Sequence, residues 1–91
     1  MNIVITGASK GFGKAIAERF AADGKPHQLF LCARTKTELE TTGQEIQSRF
    51  PHTKVHTKTC DVTDQKQLDS FVAWIRTLSD KVDILVNNAG I

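Results

Sequence analysis

Short aliphatic and β-branched runs alternate along this chain with longer segments of helical periodicity. The runs predict strands near Asn2–Thr6, Gln28–Ala33, Lys54–Cys60 and Asp83–Val86, with three helices between them. The second run contains Leu29-Phe30-Leu31-Cys32, which is apolar at every position, as expected of a strand that is covered on both faces. We therefore predict a doubly wound α/β fold in the order β-α-β-α-β-α-β, with parallel strands joined by right-handed crossover helices.

The first and third predicted helices each carry an apolar stripe. The first helix covers about Gly11 to Ala22 and places Phe12, Ile16 and Phe20 at four-residue spacing, on one face. The third helix covers about Asp64 to Leu78. Its stripe consists of Leu68, Phe71, Val72, Ile75 and Leu78. Both patterns predict amphipathic helices that pack against the sheet.

The second helix is predicted to begin with a capping box, Thr35-Lys36-Thr37-Glu38. In this pattern the Thr35 hydroxyl and the Glu38 carboxylate each accept a hydrogen bond from a backbone amide that would otherwise be unpaired. Leu39, Ile46 and Phe50 form the predicted buried stripe, and the proline that follows ends the helix.

Size and charge exclude several classes of protein. Ninety-one residues provide for one domain at most. The 12 basic and 10 acidic side chains are scattered along the chain, so we expect no nucleic-acid partner. No apolar run approaches membrane-spanning length, so we expect no membrane partner and a cytoplasmic location. Cys32 and Cys60 match no zinc or redox spacing and are predicted to be reduced core residues, and no metal site is expected.

The junction between the first strand and the first helix is rich in glycine. Thr6-Gly7-Ala8-Ser9-Lys10-Gly11-Phe12-Gly13 stands there. Glycines let a backbone approach a pyrophosphate, and the unpaired amides and positive end of the helix attract its charge. The rival phosphate motif is the P-loop, but Ala8 replaces its first glycine and Ala15 replaces the hydroxyl that would hold magnesium. A nucleoside triphosphatase is therefore not favoured.

Three further segments follow the other predicted strands. The second strand ends in Ala33-Arg34, the third in Asp61-Val62 and the fourth in Asn87-Asn88-Ala89-Gly90. These strand ends share one edge of a doubly wound sheet, where such folds bind ligands, so the loops are expected to converge on one site. The pattern T-G-x-x-x-G-x-G, followed in this order and spacing by N-N-A-G, resembles the short-chain dehydrogenase/reductase family over essentially all 91 residues.

The resemblance implies roles for individual residues. The pyrophosphate and the adenosine ribose would be surrounded by Gly7, Ser9, Lys10, Gly11, Phe12 and Gly13. The last of these glycines would permit close packing of the helix. Asp61 would accept a hydrogen bond from the exocyclic amine of adenine, and the Val62 amide would meet a ring nitrogen. Asn87, Ala89 and Gly90 would line the cofactor groove and steady the central sheet.

The end of the second strand predicts which cofactor is used. Relatives that prefer NAD usually carry an acidic residue there to hold the ribose hydroxyls, whereas this chain has Ala33 followed by Arg34. A guanidinium can donate two parallel hydrogen bonds to a 2′-phosphate, and Lys10 adds a second positive charge. Two cations and no acid therefore predict NADP(H).

No catalytic residue is predicted within the chain. The resemblance implies a downstream serine and a Tyr-x-x-x-Lys pair, in which the tyrosine exchanges a proton while the cofactor carries hydride. This sequence contains no tyrosine, and an end at Ile91 would leave the fourth strand as an uncovered edge. We therefore expect residues 1–91 to be the NADP(H)-binding N-terminal half of a Rossmann-type domain whose remainder is missing, and to be inactive alone.

The complete protein is then expected to be an NADP(H)-dependent oxidoreductase acting on a small carbonyl or alcohol substrate, and family resemblance implies a homo-oligomer. Gly11-Phe12-Gly13 and Leu31-Cys32-Ala33-Arg34 further resemble the sepiapterin reductase branch. One alternative stays open at this point. The chain would then be a free-standing nucleotide-binding or interaction module without enzymatic activity, whose fourth strand pairs with a second copy.

Overall fold

The computed structural model describes residues 1–88 as four strands and three helices in alternation. The strands are β1 (Asn2–Thr6), β2 (Gln28–Ala33), β3 (Lys54–Thr59) and β4 (Ile84–Asn87). The helices are α1 (Gly11–Ala21), α2 (Lys36–Arg49) and α3 (Gln65–Leu78). The predicted order of elements is confirmed. Over this described range, no helix combines the length and apolar character that crossing a bilayer requires.

The four strands form one parallel sheet in the order β3-β2-β1-β4. Val4 of β1 lies opposite Phe30 of β2 on one side and opposite Leu85 of β4 on the other. The chain moves outward from β1 to β3 and then crosses back to the far side of β1. Because crossovers between parallel strands are right-handed, this reversal places α3 on the opposite face from α1 and α2. The doubly wound α/β class predicted from the sequence is confirmed.

Each face of the sheet has its own hydrophobic core. Successive strand residues point to opposite faces, so Ile3 and Ile5 lie on the side of α1 and α2, and Val4 lies on the side of α3. The helices contribute Ala17, Ala21, Leu39 and Ile46 to the first core. The second core contains Val4, Phe30, Cys32, Cys60, Phe71 and Ile75. This division of the strand residues explains why β2 must be apolar at successive positions.

The predicted stripe of α1 is only partly correct. Ile16 and Phe20 pack against the first core, but Phe12 leaves 77% of its surface exposed. Phe12 stands in the first turn of α1, beyond the carboxyl end of β1, where the sheet offers no apolar surface to cover it. It lines a cleft instead.

The predicted capping box of α2 is wrong. Thr35 is the N-cap residue, but neither its side chain nor another described side chain caps the helix. The first turn is closed by the backbone alone, with the Leu39 amide donating to the Thr35 carbonyl at 3.1 Å. Glu38 lines the same cleft as Phe12 rather than reaching back to the helix end. The local pattern therefore locates the helix start but not the side-chain contacts.

The amino ends of the strands are fixed by buried polar groups. His27 is buried, accepts from the Met1 ammonium at Nδ1 and donates from Nε2 to the Asp23 carboxylate at 2.6 Å. Thr53 is fully buried, and its hydroxyl donates to the Lys25 carbonyl at 3.3 Å. These contacts lie at the opposite end of the sheet from the glycine loop.

An apolar groove of about 610 Å³ runs between α3 and β4. Phe71 and Ile75 of the predicted α3 stripe are buried beside it, whereas Val72 and Leu78 are exposed. Leu85 of β4 is 64% exposed. Residues 1–88 therefore cover only part of the apolar stripe that the sequence pattern predicts for α3.

Candidate functional site

A cleft of about 520 Å³ opens beyond the carboxyl ends of β1, β2 and β3. From the glycine loop it is lined by Gly7, Ser9, Lys10, Gly11 and Phe12. From the loops after β2 and β3 it is lined by Ala33, Arg34, Asp61 and Val62. The parallel topology places these strand ends at one edge, and three segments that the sequence singled out separately meet there.

The glycine loop needs glycine for two different reasons. At Gly11 the backbone has φ +62°, a left-handed conformation, and a side chain would meet open space. Glycine is required there for backbone conformation. At Gly13 an added Cβ would overlap the carbonyl oxygen of Gly7, so glycine is required for close approach of α1 to the loop. The predicted close packing at Gly13 is confirmed.

Three hydrogen bonds between the loop and the rest of the fold fix the loop backbone. The Ala8 amide donates to the Cys32 carbonyl at 3.0 Å, which continues the pairing of β1 with β2. The Asn88 side-chain amide donates to the Gly7 carbonyl at 3.2 Å. The Thr42 hydroxyl, from α2, donates to the Ser9 carbonyl at 2.8 Å. The loop is therefore attached to β2, to the end of β4 and to α2.

The N-terminus of α1 opens into the cleft. Lys10 is its N-cap residue, with an extended backbone, and no described side chain caps the helix. The first amides of a helix have no partner within the helix, and the helix dipole makes this end positive. Gly11 and Phe12, in the first turn, both line the cleft. This end of α1 can therefore donate hydrogen bonds to an anion.

Two cations face the same cleft. Lys10 and Arg34 both line it, and none of the ion pairs found among residues 1–88 involves either of them. Ala33, which precedes Arg34, is buried and offers no carboxylate at the end of β2. Lys10 and Arg34 are therefore both placed to bind an anion in this cleft.

Asp61 is held as a carboxylate at the edge of the cleft. Its Oδ1 accepts from the Thr63 hydroxyl at 2.7 Å and from the Thr63 amide at 3.0 Å. These hydrogen bonds lower the pKa of Asp61 below its ordinary value, and attraction to Arg34 lowers it further. Asp61 is therefore ionised at neutral pH and can accept hydrogen bonds from a ligand.

The two cysteines lie together behind the loops. The Cys32 thiol donates to the Cys60 carbonyl at 3.4 Å, and Cys60 also lines the cleft. Burial, assisted by the neighbouring Cys60, raises the pKa of Cys32 to about 12. Both thiols are free and buried, as predicted. Cys32 is therefore a poor nucleophile at neutral pH, because the thiolate is the reactive form.

Comparison with known proteins places this geometry in a family. The family model described as short chain dehydrogenase matches residues 1–91. The chain belongs to the short-chain dehydrogenase family. The glycine loop, the strand order and the cleft described above are therefore features of a short-chain dehydrogenase.

The chain is similar over nearly its whole length to several reductases and dehydrogenases. Sulfoacetaldehyde reductase of Chromohalobacter salexigens is 42% identical over 89 residues, which are 98% of this chain and 33% of that protein. L-sorbose reductase of Gluconobacter frateurii, solved with NADPH and L-sorbose, is 37% identical with a TM-score of 0.90, and the match covers 99% of this chain and 33% of that one. A short-chain dehydrogenase of Sphingobium yanoikuyae, solved with NADPH, is 34% identical with a TM-score of 0.85, covering 99% and 34%. The chain spans about a third of the length of these relatives.

The end of β4 differs in detail from the sequence prediction. Asn87 lines the apolar groove beside α3, and its Oδ1 accepts from the Thr6 hydroxyl at 3.1 Å. Asn88, which the sequence analysis did not select, lines the cleft and contacts the glycine loop. The predicted residues Ala89 and Gly90 lie outside the described residues.

Sequence reasoning also missed Thr42, a residue of α2 that contacts the glycine loop. Thr42 falls three residues after Leu39 and four before Ile46, on the buried face of the helix. A threonine at a position that the helical period buries needs a partner for its hydroxyl, and this was the available signal. The signal could not indicate that the partner is the Ser9 carbonyl.

Proposed function

We propose that residues 1–91 form the NADP(H)-binding part of a reductase that transfers hydride between a nicotinamide cofactor and a carbonyl or alcohol substrate. One observation carries the proposal: the glycine loop, Lys10 and Arg34 meet in one cleft at the carboxyl ends of the strands. Membership of a dehydrogenase family supports it over a free-standing module without enzymatic activity.

The residues of the cleft fit a phosphorylated dinucleotide. Open space beside Gly11 and the uncapped amides of α1 suit the pyrophosphate. Asp61, as a carboxylate, is proposed to accept from the exocyclic amine of adenine, and the Val62 amide to meet the ring. Asn87, Ala89 and Gly90, at and after the end of β4, are proposed to line the part of the cofactor site that continues beyond the cleft and to steady the central sheet. When bound, the cofactor supplies or accepts the hydride, while these protein groups bind and orient it.

The preference for NADP(H) over NAD(H) is assigned to Arg34, with Lys10 in support. A hydrogen bond to a charged group contributes about 1.5–3 kcal/mol, which corresponds to a preference of about ten- to a hundredfold. Ala33 removes the carboxylate that would repel a 2′-phosphate at the strand end. The NADPH complexes of L-sorbose reductase and of the Sphingobium enzyme support this choice.

The remaining parts of the reaction are proposed to depend on polypeptide outside these 91 residues. The chain has no tyrosine to serve as the proton donor that the family resemblance implies. We therefore propose that residues 1–91 are the N-terminal part of one Rossmann-type domain in a longer, cytoplasmic, homo-oligomeric enzyme, and that they do not turn over substrate alone. Membership of the sepiapterin reductase branch stays a prediction.

Titration with NADPH and NADH tests the proposal, using the protein expressed from its complete reading frame. We expect NADPH to bind at least tenfold more tightly, and Arg34→Asp to reduce or reverse the difference. Arg19→Asp is the matched control, because it makes the same change of charge on the exposed face near the far end of α1. It should leave the ratio of the two affinities unchanged.

Three results would contradict the proposal at different levels. Equal affinities for NADPH and NADH in the unmutated protein would remove the role given to Arg34. Failure to bind either dinucleotide would remove cofactor binding itself. An equal loss of preference in Arg19→Asp would show that net charge, rather than a contact in the cleft, sets the preference.

A further inference from the structure

Thr42 connects the second helix to the glycine loop. It is 2% exposed, and its hydroxyl donates to the Ser9 carbonyl at 2.8 Å across 33 positions of sequence. A threonine hydroxyl has one proton, which in a helix interior is often donated to the carbonyl four residues earlier. Here that proton is donated to the loop, which links the loop to a different helix from the one that follows it.

The helix that carries Thr42 is itself held closely against the rest of the fold. At the next position, Gly43, an added Cβ would lie 2.6 Å from a methyl group of Thr57, so α2 packs directly on β3. On the other side of α2, Glu45 forms an ion pair with Lys14 of α1 at 3.1 Å. Thr42 therefore lies on a well-packed helix. Groups on packed helices and strands are held in position more accurately than groups on loops.

The bond to Ser9 also fixes the peptide that follows it. A trans peptide unit is planar, and its carbonyl and amide point in opposite directions. The Ser9 carbonyl points toward α2, so the amide of Lys10 in the same peptide points away from α2. Lys10 is the N-cap residue of α1, and Ser9 and Lys10 both line the cleft. The Thr42 hydroxyl thus orients a backbone donor at the entrance to the helix.

We infer that Thr42 is a positioning residue for the cofactor, which holds the Ser9–Lys10 peptide in the orientation that binds phosphate without touching the ligand itself. The inference rests on the proposed function, because it assumes that the cleft binds NADP(H). It assigns to α2 a part in setting cofactor affinity that is separate from the charge of Arg34.

Four variants of the protein from its complete reading frame test this assignment by NADPH titration and urea unfolding. Thr42→Val keeps the shape and removes the hydroxyl, and we expect NADPH affinity to fall about five- to tenfold. Thr42→Ser keeps the hydroxyl and should stay within about twofold of the unmutated protein. Thr42→Ala also removes the hydroxyl, and it replaces the valine variant if that protein does not fold.

Thr53→Val is the matched control. Thr53 is a buried threonine that donates to a backbone carbonyl in the same way, but at the opposite end of the sheet. It should lower the urea midpoint and leave NADPH affinity within about twofold.

These measurements distinguish a positioning role of Thr42 from a general effect on stability. Unchanged affinity in a folded variant without the Thr42 hydroxyl would overturn the inference. So would an equal loss of affinity in Thr53→Val, because general destabilisation would then explain both. Absence of dinucleotide binding in the unmutated protein would instead refute the proposed function, and the inference with it.

Discussion

Gly13 and Gly11 offer a direct comparison of two reasons for glycine in one loop. Both lie in the first turn of α1, two residues apart. An alanine Cβ at Gly13 would overlap the carbonyl oxygen of Gly7, whereas at Gly11 nothing lies within 4 Å of it. We predict that Gly13→Ala destabilises the protein much more than Gly11→Ala does.

The expected magnitudes follow from these surroundings. Overpacking typically costs about 1–3 kcal/mol, and the Gly13 variant belongs at the upper end because the overlapped atom is backbone and cannot rotate away. The Gly11 variant meets no atom but places a Cβ at φ +62°. That conformation costs about 1–2 kcal/mol, offset in part by about 0.4–1 kcal/mol of lost freedom in the unfolded chain.

Urea unfolding of both variants, expressed from the complete reading frame, measures the two free energies. We expect a loss of about 3 kcal/mol for Gly13→Ala and about 1 kcal/mol for Gly11→Ala. The Gly11 variant should nevertheless bind NADPH weakly, because its new methyl group enters the open space of the cleft. An equal or smaller loss of stability in Gly13→Ala would refute the packing argument.

Two further predictions concern titrating groups. Because burial raises the pKa of Cys32 to about 12, the native protein should react slowly with a thiol reagent at pH 8 and rapidly in urea; fast reaction of Cys32 in the native protein, located by mass spectrometry, would contradict its burial. The His27 side chain donates a hydrogen bond to the Asp23 carboxylate and lowers the pKa of Asp23 below the ordinary 3.8. Asp23→Asn should therefore unfold at a lower temperature than the unmutated protein at pH 7. A carboxyl group whose pKa is lowered by folding stabilises the fold at pH values above its ordinary pKa, and this stabilisation is lost as the pH falls through the lowered pKa. The difference in unfolding temperature between Asp23→Asn and the unmutated protein should therefore shrink below about pH 3.8. A difference that stays constant with pH would contradict this reasoning.

Most of the fold could be predicted because it depends on patterns that repeat locally. Strand runs, helical spacing and the glycine loop each require only nearby residues, and parallel strands joined by right-handed crossover helices follow from the alternation of these elements. The errors occurred where a local pattern was assumed to determine side-chain contacts. Phe12 fits the α1 stripe but has no sheet beneath it, and Thr35 begins α2 without the side-chain bonds of a capping box.

The sequence alone determined the parallel α/β class, the glycine loop and the cations Lys10 and Arg34, because these depend on residue type and on the shared edge of parallel strand ends. Only the tertiary structure decided that Asn88 contacts Gly7 across 81 positions and that Thr42 contacts Ser9 across 33. Such contacts depend on how closely a helix packs on the sheet and on where the last strand ends. Local periodicity contains neither quantity, since it describes one element at a time.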